Sequence, residues 1–274
     1  MKKYFSLAAL ALVATAFTAC SSDSEMNPEV GYGYIALDGV TTEAILVSRA
    51  DPDPTQVSDL STWDVTVTAK DATSGYTCKA DKLNEHAFEA NDEKNPYTVT
   101  ASNYADLSTA LSQNSNWGAP YYTGSTTVNV VKGKSTPVSI ACGKAKNARL
   151  SVSFDKSFTD VAYETIEGVN QASYSLVATQ GARSLTFNSG TSGNYAYYEG
   201  GSTVNYSLSY KFNGADREAI TGSITLGANG TQKNINIMLN SNGKLTLTIT
   251  TVGFTDGEGK DITIDGATGN QATN

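Results

Sequence analysis

Histidine occurs once in this chain of 274 residues, at His86, and its scarcity removes several chemistries at once. A zinc site built on two histidines is out of reach, and a Ser-His-Asp triad would have to use His86 itself. No Gly-x-Ser-x-Gly nucleophile signature accompanies it. The neighbours of His86, Lys82-Leu83-Asn84-Glu85, are mostly polar and predict a solvated loop or short helix. Positive charge is scarce as well: 19 Lys and Arg face 27 Asp and Glu, giving a formal net charge of -8 and a sequence pI near 4.7. Nucleic-acid binding draws its affinity from clustered Lys and Arg on phosphates, so no nucleic-acid partner is expected. The run Asp256-Gly257-Glu258-Gly259-Lys260-Asp261 lacks the alternating oxygen ligands and distal glutamate of an EF-hand loop and reads as a hairpin turn. A glycosidase needs only two carboxylates, yet the acidic residues that stand out here lie in turns. The expectation is a protein with no cofactor, no metal and no catalytic residue.

What the chain does have is alternation. Trp63, Val65, Val67 and Ala69 share one side of a strand, and Leu150, Val152 and Phe154 share another. Val204, Tyr206, Leu208, Tyr210 and Phe212 repeat the pattern, followed by Ile224 and Leu226, then Ile235, Ile237 and Leu239, then Leu245, Leu247 and Ile249. Asn213-Gly214, Asn229-Gly230 and Asn242-Gly243 sit between these runs and supply the positive φ of tight hairpin turns. Helical spacing is confined to Tyr104, Leu107 and Leu111 and to a turn near Leu83. The fold expected is all-β, two tandem β-sandwich domains of transthyretin-like or Ig-like type over residues 31–143 and 147–274. Their seam falls in Gly143-Lys144-Ala145-Lys146-Asn147. Tyr121-Tyr122-Thr123-Gly124-Ser125-Thr126-Thr127-Val128-Asn129 echoes Tyr197-Tyr198-Glu199-Gly200-Gly201-Ser202-Thr203-Val204-Asn205, either as a domain repeat or as chance among Tyr, Gly and Thr. Cys142 lies on the apolar face of a strand and reads as a buried thiol; whether it pairs with Cys78 is not decided by the sequence.

The first 19 residues are a processing segment. Lys2 and Lys3 precede an apolar run from Tyr4 to Phe17, then Thr18, Ala19 and Cys20, the order of a secretory signal peptide. Ending that order on a cysteine resembles the lipobox of bacterial lipoproteins, with Phe17 where the pattern usually has Leu. The resemblance implies a signal peptide of residues 1–19, acyl chains on Cys20, and a lipidated tether over residues 20–30. Several acyl chains exceed the single-chain threshold for stable anchoring, so the mature form is expected on the outer membrane. The other reading is an ordinary secreted protein cut near Ala19. Ser21-Ser22-Asp23-Ser24-Glu25 is similar to signals that carry lipoproteins to the cell surface, and reads equally as the start of a solvated tether.

These features together resemble the fimbrillin-like lipoproteins of Gram-negative gut and oral anaerobes, in particular a family labelled only as a domain of unknown function. The stretches that carry the resemblance are the lipobox at Cys20, Val47-Ser48-Arg49-Ala50, Tyr97-Thr98-Val99-Thr100-Ala101, Ala119-Pro120-Tyr121-Tyr122-Thr123-Gly124-Ser125, and Ile140-Ala141-Cys142 leading to Asn147-Ala148-Arg149-Leu150-Ser151-Val152. The resemblance implies two transthyretin-like sandwiches serving as a shaft, anchor or tip subunit of a surface pilus. It also implies a cut by an Arg-specific protease after the first strand, here between Arg49 and Ala50, and filling of the vacated groove by a strand from a neighbouring subunit. Removing a strand exposes unpaired backbone groups and an apolar slot, which a donated strand satisfies by β-augmentation. The donated strand is expected in Thr246–Phe254 or Asp261–Asp265. Asp51-Pro52-Asp53-Pro54, behind the cut site, reads as an extended linker.

Two functions are therefore weighed. One is a non-catalytic fimbrillin-like lipoprotein of cell adhesion whose partners are the outer membrane and other pilus subunits. The other is a glycan-binding surface lipoprotein of a polysaccharide uptake system, using Trp117 and Tyr122 of Trp117-Gly118-Ala119-Pro120-Tyr121-Tyr122 as stacking platforms for a glycan or host ligand. Trp117 and Tyr121 also read as aromatics packed into a loop corner.

Overall fold

The computed structural model describes residues 31–43, 54–240, 243, 245–252 and 262–264, with 248–252 and 262–264 described by their backbone alone. The fold is all-β. The first half contains β1 (Tyr32–Thr42), β2 (Thr55–Gln56), β3 (Asp64–Thr68), β4 (Tyr76–Lys79), β5 (Ala87–Glu89), β6 (Tyr97–Ser102), β7 (Thr123–Val128) and β8 (Ser135–Gly143). In one sheet β2 and β5 lie antiparallel along one edge of β1, and β8 runs parallel along the other. The facing sheet is antiparallel in the order β4-β3-β6-β7. Alternation has the consequence expected of it: Val65, Val67, Val99 and Ala101 point inward from one sheet to meet Ile35, Val40, Val138 and Ile140 from the other.

The second half contains β9 (Asn147–Phe154), β10 (Tyr163–Ile166), β11 (Val169–Ala172), β12 (Tyr174–Gln180), β13 (Arg183–Phe187), β14 (Tyr195–Glu199), β15 (Thr203–Phe212), β16 (Ala215–Asp216), β17 (Ile220–Thr225), β18 (Gln232–Leu239), β19 (Leu245–Val252) and β20 (Ile262–Ile264). One sheet has the order β14-β9-β18-β19-β20 and the other β13-β12-β15-β17, with β16 turning back on β15 and β10–β11 standing apart as a hairpin. Asn213 and Gly214, with φ of 50° and 82°, make the tight turn between β15 and β16 that the dipeptide predicts. A second core of Leu150, Val152, Leu176, Phe187, Tyr198, Leu208 and Ile235, among others, fills this sandwich.

The two halves share one pairing scheme. β9 lies antiparallel to β14 and parallel to β18, as β1 lies antiparallel to β5 and parallel to β8. The order β13-β12-β15-β17 likewise matches β4-β3-β6-β7, so β15 corresponds to β6 and β17 to β7. The sequence echo does not follow this scheme: it sets Tyr121 and Tyr122, leading into β7, against Tyr197 and Tyr198 of β14, leading into β15. The repeat is one of topology, and the Tyr-Gly-Thr likeness is compositional. The second half also carries β19 and β20 beyond β18, whereas β8 pairs only with β1 among the described residues. Pro137, which has no N–H to donate, interrupts β8 in the manner of an edge strand.

His86 departs from the solvated position its neighbours suggest. It closes the 3-10 turn Ala80–Glu85, half-buried, with its ring stacked on Tyr76 at 3.7 Å and edge-on to Phe88 at 4.7 Å. Burial lowers its pKa. Cys78 and Cys142 are both free thiols; Cys142 is buried in the first core, and that burial pushes its pKa up to about 11.

Candidate functional site

β1 is held chiefly by backbone pairing and by what it puts into the core. Ile35 and Val40 are fully buried. Two glycines bring its backbone close to its neighbours; a Cβ on Gly33 would stand 2.3 Å from the Val131 carbonyl oxygen. Its parallel pairing with β8 runs from Tyr34 against Ser135 to Thr42 against Gly143, with Asp38 extra in β1 and Cys142 extra in β8. Among the described residues no side-chain hydrogen bond joins these two strands. The equivalent pair in the second half is different. Arg149 Nε donates to Gln232 Oε1 at 2.8 Å, Ser151 Oγ to Asn234 Oδ1 at 2.9 Å, and Ser153 Oγ to Asn236 Oδ1 at 3.0 Å. Gln232 Nε2 and Asn234 Nδ2 reach back to the Ser151 and Ser153 hydroxyls at 3.5 and 3.3 Å. These rungs lock β9 to β18 in register on top of the backbone ladder.

At its far end β1 is clipped. Glu43 N donates to Gly143 O at 2.9 Å, and the Tyr122 hydroxyl donates to Glu43 O at 3.1 Å. Burial raises the pKa of that phenol, so it stays protonated as a donor. β2 then returns onto β1, placing Thr55 opposite Thr42. The segment carrying Arg49 and Ala50 thus joins two residues that are already cross-strand partners. Arg49 and Ala50 themselves, like Cys20 and the run 256–261, lie outside the described residues.

The seam between the sandwiches is built by the loop that follows α1 (Leu107–Leu111), a short helix capped by the Asp106 carboxylate on Thr109 N at 2.7 Å. Asn114, Ser115, Asn116 and Gly118 have φ of 51°, 55°, 70° and 81°. A left-handed run of this kind costs an L-residue about 1 kcal/mol or more, least for Asn. Its backbone is committed to the other half. The Asn116 carbonyl accepts from Arg183 Nε at 3.1 Å and from Nη2, while Arg183 Nη1 donates to Tyr197 O. The same guanidinium lies over the Tyr198 ring, 4.7 Å from its centroid. Burial pushes the Tyr198 phenol up to about 12, against the pull of Arg183. Trp117 O accepts from Tyr197 N at 2.8 Å, and its ring meets Phe187 edge-on. Asn147, fully buried, accepts from Tyr121 N at 3.1 Å and donates to Ala119 O at 2.7 Å.

Trp117 and Tyr122 therefore occupy different packings: the indole lies against the second core and the phenol against the first, at the end of β1. Asn147 lies in the stretch where the sequence places the seam, whereas Arg183 and the rungs between β9 and β18 have no local signal in the sequence. Among the described residues no group of three or more His, Cys, Asp or Glu is placed to hold a metal ion, and no helix is long and apolar enough to cross a membrane.

A family model described as a domain of unknown function, DUF4493, matches residues 31–266. The chain belongs to the DUF4493 family. No curated protein matches the sequence. Among solved structures, the DUF4493 chain is similar to a fimbrial assembly protein from Parabacteroides distasonis, at 12% identity and a TM-score of 0.41, over 81% of this chain and 96% of that one. It is also similar to a "putative adhesin" from Bacteroides thetaiotaomicron, at 7% identity and a TM-score of 0.38, over 83% and 99%.

Proposed function

We propose that this protein is a non-catalytic cell-surface lipoprotein of the fimbrillin-like kind, held to the outer membrane through Cys20 and taking part in cell adhesion as a pilus subunit, anchor or accessory. In this reading cleavage between Arg49 and Ala50 frees β1, and a strand from a neighbouring copy takes its place. The observation that carries it is the contrast between two topologically equivalent strands. β9 is fastened to β18 by side-chain rungs, whereas β1 is joined to β8 by backbone alone, with two glycines and a bulge in its length. Losing β1 would strip β8 of its only paired neighbour among the described residues and open the core at Ile35 and Val40. Re-burying two such side chains is worth about 2 kcal/mol each, besides a restored backbone ladder.

The donor is drawn from the C-terminal segment. β20 pairs with β19 at three positions, against eight between β19 and β18, so β20 is the cheaper strand to release. Glycan binding through Trp117 and Tyr122 is the weaker reading, because the indole packs on Phe187 and the phenol is held at Glu43 O. The test is digestion of the purified mature chain with an Arg-specific protease. The reading expects detergent-resistant oligomers from the wild type and none from Arg49→Lys; a cut chain that stays monomeric would overturn it.

A further inference from the structure

Six large apolar side chains stand exposed among the described residues: Tyr34, Tyr76, Val131, Ile166, Val169 and Tyr195. Two of these have a planar group on the ring, His86 on Tyr76 and the Arg149 guanidinium on Tyr195. The other four have no ring partner, and they divide between the two ends of the molecule farthest from the seam. β1 finishes at the seam, so its beginning marks one end. There Tyr34 N donates to Lys134 O, Gly133 N donates to Tyr32 O, and Val131 stands beside the strand at 47% exposure. β9 begins at the seam, and past its other end come α2 (Lys156–Thr159) and the β10–β11 hairpin, whose tip carries Ile166 and Val169 as its closing pair.

The two ends match in charge as well as in apolar character. The hairpin tip reads Ile166-Glu167-Gly168-Val169, with Glu167 and Gly168 at φ of 53° and 79° in a tight turn. A hydrogen bond from Thr165 Oγ1 to Asn170 Oδ1 at 2.8 Å holds the turn in shape. The other acid of the hairpin, Glu164, is paired with Lys211, so Glu167 is the carboxylate the tip presents. At the opposite end, Lys132 and Lys134 flank Gly133 and form no ion pair among the described residues. Of the acids nearby, Asp92 accepts from the backbone amides of Lys94 and Asn95, and Glu89 lies across the ladder from Tyr32 rather than beside Gly133.

We propose that the hairpin tip of one copy docks on the Tyr34–Val131 end of the next, with Ile166 and Val169 against Tyr34 and Val131 and with Glu167 between Lys132 and Lys134. Exposed apolar side chains ringed by charge mark interaction sites, and two different patches that fit each other make a heterologous contact that propagates as an open chain. This contact deepens the assembly reading: it supplies the weak, reversible encounter that brings a donor strand to its groove.

The experiment uses the unlipidated mature chain, Cys20→Ser, uncut and without protease, in sedimentation velocity at rising protein concentration. The wild type is expected to form an open-ended series of oligomers that shrinks with added salt. Glu167→Lys alone, and Lys132→Glu with Lys134→Glu alone, should each weaken association about tenfold or more, and mixing the two variants should restore it. Ile166→Asn with Val169→Asn should abolish it while circular dichroism stays unchanged. A monomeric wild type at every concentration, or variants that associate as the wild type does, would overturn the proposal. Association that appears only after residues 21–30 are removed would also overturn it, by giving the basic end to the chain's own N-terminal segment. Failure of the function proposed above would show instead as an uncut Arg49, which this measurement does not involve.

Discussion

Trp117 of the first sandwich meets Phe187 of the second edge-on, their ring centroids 5.0 Å apart and their planes at 84°. The indole is a side chain of one half completing the core of the other, so the halves should not unfold independently. Trp117→Ala should cost about 3 kcal/mol and turn a single denaturant transition into two, read by tryptophan-independent circular dichroism. Arg183→Lys, which loses the fork onto Asn116 O and Tyr197 O, should cost about 2 kcal/mol and widen the same separation.

Alkali should unfold the second sandwich through Tyr198. Its phenol is fully buried and held up at about 12, while in the unfolded chain it ionises near 10. A raised acid contributes stability that is whole below pH ~10 and is lost as pH climbs through ~12, about 2–3 kcal/mol in all. Tyr198→Phe should flatten that part of the stability profile measured by urea unfolding between pH 9 and 12.

Hydrogen exchange should separate β1 from β9. Both are first strands of their sandwiches in equivalent positions, yet only β9 carries side-chain rungs to its parallel neighbour. Amides of residues 34–41 should exchange about tenfold or more faster than those of 148–153. Ser151→Ala with Ser153→Ala should narrow the gap from the β9 side; equal protection in the wild type would remove the main support for a detachable β1.

Arginine accessibility makes a further test. The chain has four arginines. Arg149 is tied to Gln232 and Tyr195, and Arg183 to the seam, so both should resist an Arg-specific protease in the folded chain. Arg217 is exposed between β16 and β17 and should be the one competitor to Arg49. Peptide mapping of a short digest should find cuts after residues 49 and 217 and none after 149 or 183.

Alternation exposed most of the strands to sequence reading, because one buried face per strand leaves a period of two that composition cannot hide, as in Val65, Val67 and in Leu150, Val152. The Asn213-Gly214 turn was equally legible, since few other pairs take positive φ twice. The seam was not. Trp117 reads from the sequence either as a stacking platform or as a loop-corner aromatic, but the ring it meets, Phe187, lies 70 residues on, and nothing local encodes that distance. Ser151, Asn234 and their neighbours read as a wet strand face; only the parallel register of β9 with β18 brings them together. Of the two readings of the Tyr-Gly-Thr echo the pairing scheme favours chance, for the converse reason: similar residues recur at the mouths of β7 and β15, which the scheme makes non-equivalent.

The central claim is that β1 is released by a cut at Arg49, and the N-terminus of the protein recovered from the cell surface tests it most directly. Mass spectrometry of the assembled material should find chains beginning at Ala50. Chains beginning only at acylated Cys20, with Arg49 intact, would contradict the account.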